Sequence, residues 1–130
     1  MLVTPLFAAI FALVYLVLSI SVIKLRFKQQ VSLGSAGDSE LEKEIRIHAN
    51  FAEYVPLCLL LLYFLETVTL SSRLSFWLGC VLLISRLSHV IGMRNGKDHL
   101  IFRQIGVLGT FFVIFVSALA LIWIYLPINI

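Results

Sequence analysis

Four long apolar runs dominate the chain, and short polar stretches separate them. Leu2–Ile23 carries no charge. Ile45–Leu70 is interrupted by Arg46, Glu53 and Glu66. Leu74–Met93 is clean until Arg86, and Ile105–Ile130 again has no charge. About 20 apolar residues in a helix cross a hydrocarbon core of ~30 Å, so each run predicts a transmembrane helix. The expected fold is all-α: one integral-membrane four-helix bundle spanning residues 1–130. Its second helix starts near Asp38, because Asp38 and Ser39 precede Glu40, Glu42 and Glu44, and acidic residues suit a helix N-terminus. Pro5 falls at a helix start, where a missing N–H is harmless, and Pro127 falls near the end of the fourth run. Pro56 sits inside the second run and is expected to kink it.

Composition agrees. The 130 residues are 61% hydrophobic and 13% charged, with a mean hydropathy of +1.04. Soluble domains hold about 25% charged residues, so a soluble class is excluded. The net charge of +3 marks topology rather than a nucleic-acid surface. Lys24, Arg26, Lys28, Lys43 and Arg46 flank the first connection, and Arg94, Lys97 and Arg103 flank the third. Arg73 alone lies in the second. The positive-inside rule then predicts both termini outside and the first and third connections in the cytoplasm. Leu2–Ile23 lacks a basic leader and a clear cleavage site, so it is read as a retained span. Cys58 and Cys80 show no metal-ligand spacing and are expected to be small core hydrophobes. No metal site is predicted.

The chemistry sits where charges enter apolar helices. Burying an ionisable group in hydrocarbon costs about 2.5–3.5 kcal/mol on insertion scales, so such groups usually face a partner or a site. At ~100° per residue, Arg46, Asn50, Glu53 and Tyr54 share one helix face. Arg86 and His89 close the third run on the same predicted side of the membrane. Arg86 is expected to pair with Glu53 inside the bundle. Glu66, near the far end of the second run, is expected to reach water, and His99 is expected to be a loop histidine.

The run Arg46-Ile47-His48-Ala49-Asn50-Phe51-Ala52-Glu53-Tyr54-Val55-Pro56 resembles the MAPEG family (membrane-associated proteins in eicosanoid and glutathione metabolism). Supporting pieces are Lys24-Leu25-Arg26, Leu33-Gly34, Arg86-Leu87-Ser88-His89 and Arg103-Gln104-Ile105-Gly106. The resemblance spans essentially the whole chain, and the short length is similar to bacterial members. It implies a homotrimer that binds glutathione between subunits on the cytoplasmic side of a bacterial inner membrane. It further implies a transferase or peroxidase acting on a hydrophobic electrophile or lipid hydroperoxide. Arg103 would be the catalytic arginine. Arg46 and Arg26 (or Lys24 in its place) would take carboxylates through a planar fork. Glu53 would take the ammonium, Asn50 the peptide part, and Tyr54, His48 and His89 would complete the pocket. Met93 departs from the eicosanoid synthases, which carry a Tyr at that position. Two other readings compete. One is a non-catalytic lipid-binding or scaffold protein of the same fold. The other is a proton-coupled exporter using Glu53, disfavoured because the first span has no carboxylate.

Overall fold

A computed structural model of the chain describes residues 2–69, 71–95 and 100–126. The predicted features at Leu70, Gly96, Lys97, His99 and Pro127–Ile130 lie outside them. Among the described residues four helices follow one another: α1 (Thr4–Gln29), α2 (Ser39–Thr69), α3 (Ser72–Arg94) and α4 (Leu100–Tyr125). Each is long and apolar enough to cross a membrane, so the chain is an all-α, multi-pass membrane protein. Consecutive helices run antiparallel. The start of α1 meets the end of α2, Ser75 of α3 donates to the Leu62 carbonyl of α2, and Ser88 of α3 donates to the Phe102 carbonyl of α4.

The pairs of helices that touch fix the layout. α2 and α3 form the centre. α1 packs on both of them along one side, and α4 packs on both along the other, with no close approach between α1 and α4 among the described residues. Buried positions recur every three or four residues. On α2 they include Ile47, Phe51, Val55, Cys58 and Leu62; on α4 they are Gly106, Thr110, Val113 and Ser117. One narrow stripe of each helix therefore enters the core, while large apolar side chains such as Leu13, Trp77 and Phe115 point outward to lipid. Between two helices in hydrocarbon no hydrophobic force acts, so close packing of small residues takes its place. The tight α3–α4 seam shows this. A Cβ on Gly106 would lie 2.6 Å from both the Ser85 carbonyl oxygen and the His89 Cβ.

Two boundaries differ from expectation. α1 continues through Lys24, Arg26 and Lys28 to Gln29, so these cations lie on a helix that extends past the apolar run. Only residues 30–38 connect α1 to α2, turning through left-handed backbone at Gln30, Gly34, Ala36 and Gly37. α4 begins at Leu100 rather than Ile105, which puts Arg103 in its first turn. The start of α2 is as predicted: Asp38 Oδ1 accepts from the Leu41 N–H at 2.7 Å. Helix α2 runs unbroken through Pro56.

Glu66 corrects the sequence reading. It is 1% exposed and does not reach water. Its two carboxylate oxygens accept the Val3 and Thr4 N–H groups at 2.7 and 2.9 Å. The first turn of any helix leaves N–H groups without intrahelical partners, and Val3 itself makes no side-chain cap. In a membrane these donors cost several kcal/mol each when unsatisfied, and a carboxylate at a helix N-terminus also meets a favourable dipole. The cap also fastens α1 to α2 at this end of the bundle.

Glu66→Gln keeps one acceptor and loses the charge. It should lower stability by about 1–2 kcal/mol, and Glu66→Ala should cost more. Thermal unfolding of the detergent-solubilised protein reads this, and an unchanged midpoint for both variants would contradict the cap. Gly106→Ala should destabilise by about 1–3 kcal/mol, because the added methyl group meets backbone that has no rotamer to change.

Candidate functional site

Helix α2 carries the candidate face, and its neighbours sort that face into two halves. Asn50 and Tyr54 are half-buried towards α3 and α4, while Arg46 and Glu53 are exposed beside them. The ~100° step explains the split. Positions 50 and 54 are one turn apart and sit over the α3–α4 seam, whereas 46 and 53 fall towards the edge of the stripe.

Arg86 of α3 organises the inner half. It is 2% exposed. One guanidinium nitrogen, Nη1, donates to Asn50 Oδ1 at 2.8 Å, and the other, Nη2, donates to the Gly106 carbonyl at 3.0 Å. The guanidinium carbon stands 5.8 Å from the centroid of the Tyr54 ring, within cation–π range. The Tyr54 ring in turn leans on Phe111 of α4 at 5.8 Å. Arg86 thus joins α2, α3 and α4. The expected pairing of Arg86 with Glu53 is not formed: the side chain reaches the inward-facing Asn50, and Glu53 lies on the exposed edge. Among the described residues, Arg86 makes no ion pair with a carboxylate. Its Nε is buried and has no hydrogen-bond partner among the described residues.

The other candidates fall into three places. His89 is 5% exposed and lies one turn beyond Arg86, held against Gly106 of α4. Arg103 is exposed in the first turn of α4, where it lines a shallow hollow of about 490 Å³ with Leu100, Gln104, Val107 and Leu108. Arg26 turns back onto the connection and donates to the Gly34 carbonyl at 2.9 Å. His48 corrects the expectation that it projects with Arg46 and Asn50. It faces α1, with Nε2 3.0 Å from the Ser19 hydroxyl and its ring 4.8 Å from that of Tyr15. Two positions after Arg46 a helix has turned by ~200°, so His48 lies on the opposite side. Within one chain, Asn50, Tyr54, Arg86 and His89 form one polar cluster. Arg26 and His48 make their contacts away from it, whereas Arg103 lies close enough for its charge to act on His89.

Two features escaped the sequence reading. An apolar groove of about 600 Å³ runs between α1 and α2, walled by Phe11, Tyr15, Phe51, Val55 and Pro56. No periodicity marks it, because its walls are as apolar as the lipid-facing surfaces. The second is a bidentate ion pair closing the end of the bundle that carries the cluster. Arg94 Nε and Nη2 donate to Glu44 Oε1 and Oε2 at 2.7 and 2.8 Å, and Nη2 also reaches Ser21 of α1 at 3.4 Å. Both residues were visible in the sequence, Glu44 as a helix-start acid and Arg94 as a topology charge. Their separation of 50 positions hid the pairing.

Comparison with known proteins was consistent over nearly the full length. Residues 4–123 match the model of the MAPEG family. The protein named Inner membrane protein YecN, in Escherichia coli strain K12 and in strain CFT073, is 34% identical over 127 residues, covering 96% of this chain and 93% of the relative. No solved structure matches the chain.

The Arg94–Glu44 lock predicts non-additive damage. Glu44→Gln and Arg94→Gln should each lower the unfolding midpoint, and the double variant should lose less than their sum, by about 1 kcal/mol or more. Simple additivity in the double-mutant cycle would show that the pair is not coupled.

Proposed function

The chain belongs to the MAPEG family, and from that premise we propose that it is a glutathione-dependent transferase or peroxidase of the inner membrane. The observation that carries this reading is the polar face of α2. Arg46, Asn50, Glu53 and Tyr54 lie within about two turns of one another at the end of the bundle where the cations collect. Glutathione carries two carboxylates, one ammonium, a peptide backbone and a thiol. Arg46 supplies a fork for a carboxylate, Glu53 an anion for the ammonium, and Asn50 an amide for the peptide. His89 and Tyr54 line the same region, and Arg103 supplies the cation for the sulfur. Arg26 and His48 face away from this cluster in a single chain. In this reading they serve a neighbouring copy within a homotrimer, whose site lies between subunits.

The chemistry follows from the thiol. A free thiol with a pKa near 8.5 is only a few per cent thiolate at neutral pH, and the thiolate is the nucleophile. A guanidinium that lowered this pKa by about two units would supply about 2.7 kcal/mol. Arg103 lies in the first turn of α4, where the helix dipole also favours an anion. The thiolate then displaces the leaving group of an electrophile dissolved in the lipid, forming an S–C bond, or attacks the terminal oxygen of a hydroperoxide. The second route breaks the O–O bond to give the alcohol and a sulfenic acid, which a second glutathione converts to the disulfide and water. The basic end of the bundle, with Arg26, Lys28, Arg46, Arg94 and Arg103, is assigned to the cytoplasm by the positive-inside rule, with both termini outside.

Conjugation of glutathione to an aryl halide tests this reading in the purified, detergent-solubilised protein. Wild type should turn over with saturation in glutathione. Arg103→Ala should retain its unfolding midpoint and lose roughly 25-fold in rate near neutral pH, the ratio of thiolate fractions for a two-unit shift. Full activity in Arg103→Ala would overturn that assignment. A folded wild type inactive towards both aryl halides and lipid hydroperoxides would favour the scaffold role.

A further inference from the structure

Arginine has donors only, so whatever it touches must accept. This simple rule settles which way Asn50 faces. Arg86 Nη1 occupies Asn50 Oδ1 at 2.8 Å, and Arg86 is itself fixed by the Gly106 carbonyl and by the Tyr54 ring. The Asn50 amide cannot flip without setting its NH2 group against a buried guanidinium. Its Nδ2 edge makes no hydrogen bond among the described residues, and Asn50 is only half-buried, so this edge opens away from the hub. We propose that Arg86 is a positioning residue that fixes the hydrogen-bond polarity of Asn50. Asn50 then presents two N–H donors, and the ligand group at this point is an acceptor: an amide carbonyl or a carboxylate.

The proposal rests on the glutathione reading for its ligand and deepens it. Asparagine in a free-rotating setting reads donors and acceptors alike. Here the buried charge removes one of the two choices, so an N–H group of a ligand is rejected at Asn50. Arg86 also binds the carbonyl of Gly106, which lies on the first turns of α4 with Arg103. One guanidinium therefore sets the polarity of α2's recognition group and its distance from α4.

Asn50→Asp separates the pairing from the polarity. Aspartate keeps an acceptor for Arg86 but has no hydrogen to offer a ligand. The full-length protein in detergent should unfold at or above the wild-type temperature when it carries Asn50→Asp. Asn50→Ala should unfold at least about 4 °C lower, or fail to fold. Glutathione titrated by calorimetry should bind Asn50→Asp at least about tenfold more weakly than wild type, despite the intact fold. An Asn50→Asp protein as unstable as Asn50→Ala, or one that binds glutathione like wild type, would overturn the proposal. A wild type that takes up no glutathione would overturn the proposed function instead. The thermal comparison would still decide the polarity of Asn50, because it needs no ligand.

Discussion

A guanidinium that cannot shed its charge, placed inside an apolar bundle, constrains everything around it. Arg86 meets that constraint with a neutral amide, a main-chain carbonyl and an aromatic face instead of a carboxylate. The amide and the ring come from successive turns of α2 and the carbonyl from α4, so α2, α3 and α4 must converge at one depth. The close approach at Gly106 is part of the same arrangement. Without a side chain there, α4 comes near enough for its carbonyl to accept from Arg86, and His89 is pressed into the seam. The half-buried placement of Asn50 and Tyr54 follows from this convergence.

The two ends of the bundle are closed by charges on α2. At one end Glu66 caps the start of α1, and at the other Glu44 holds Arg94 of α3. These contacts do different work. The cap satisfies backbone donors that have no water to turn to, while the ion pair sits where the helices emerge and fixes how α3 leaves the bundle. Between them lies a mostly apolar interior whose cohesion comes from close packing, as at the tilted rings of Phe11 and Phe51, 6.0 Å apart.

Helix number and approximate span positions were legible in the sequence because four uncharged or nearly uncharged runs have no other stable form. Family membership was legible from the spacing of Arg46, Asn50, Glu53 and Pro56. The core-facing stripe was not, because lipid-facing and core-facing residues are equally apolar and leave no amphipathic signal. The partners of the rare polar groups were also hidden. Arg86 was expected to seek the opposite charge of Glu53, yet geometry gave it Asn50. Glu66 was expected to find water, yet the nearest unsatisfied donors were the N–H groups of α1. His48 shares the motif with Arg46, but the helical step turns it to α1. Charge complementarity alone predicts the strongest possible pair, whereas helix phase decides which pair can meet.

In the proposed function the α2 face binds the tripeptide, and Arg103 of α4 activates its thiol at the basic end of the bundle. Arg46 and Glu53 are exposed, while Asn50 is held from behind by Arg86. The state of the bound sulfur decides whether this is so. The direct measurement is an ultraviolet difference spectrum of glutathione added to the folded, detergent-solubilised protein near neutral pH. Thiolate absorbance should rise with glutathione and saturate. Saturable binding in calorimetry with no thiolate absorbance would contradict the proposed function, because the site would then hold the tripeptide without activating it.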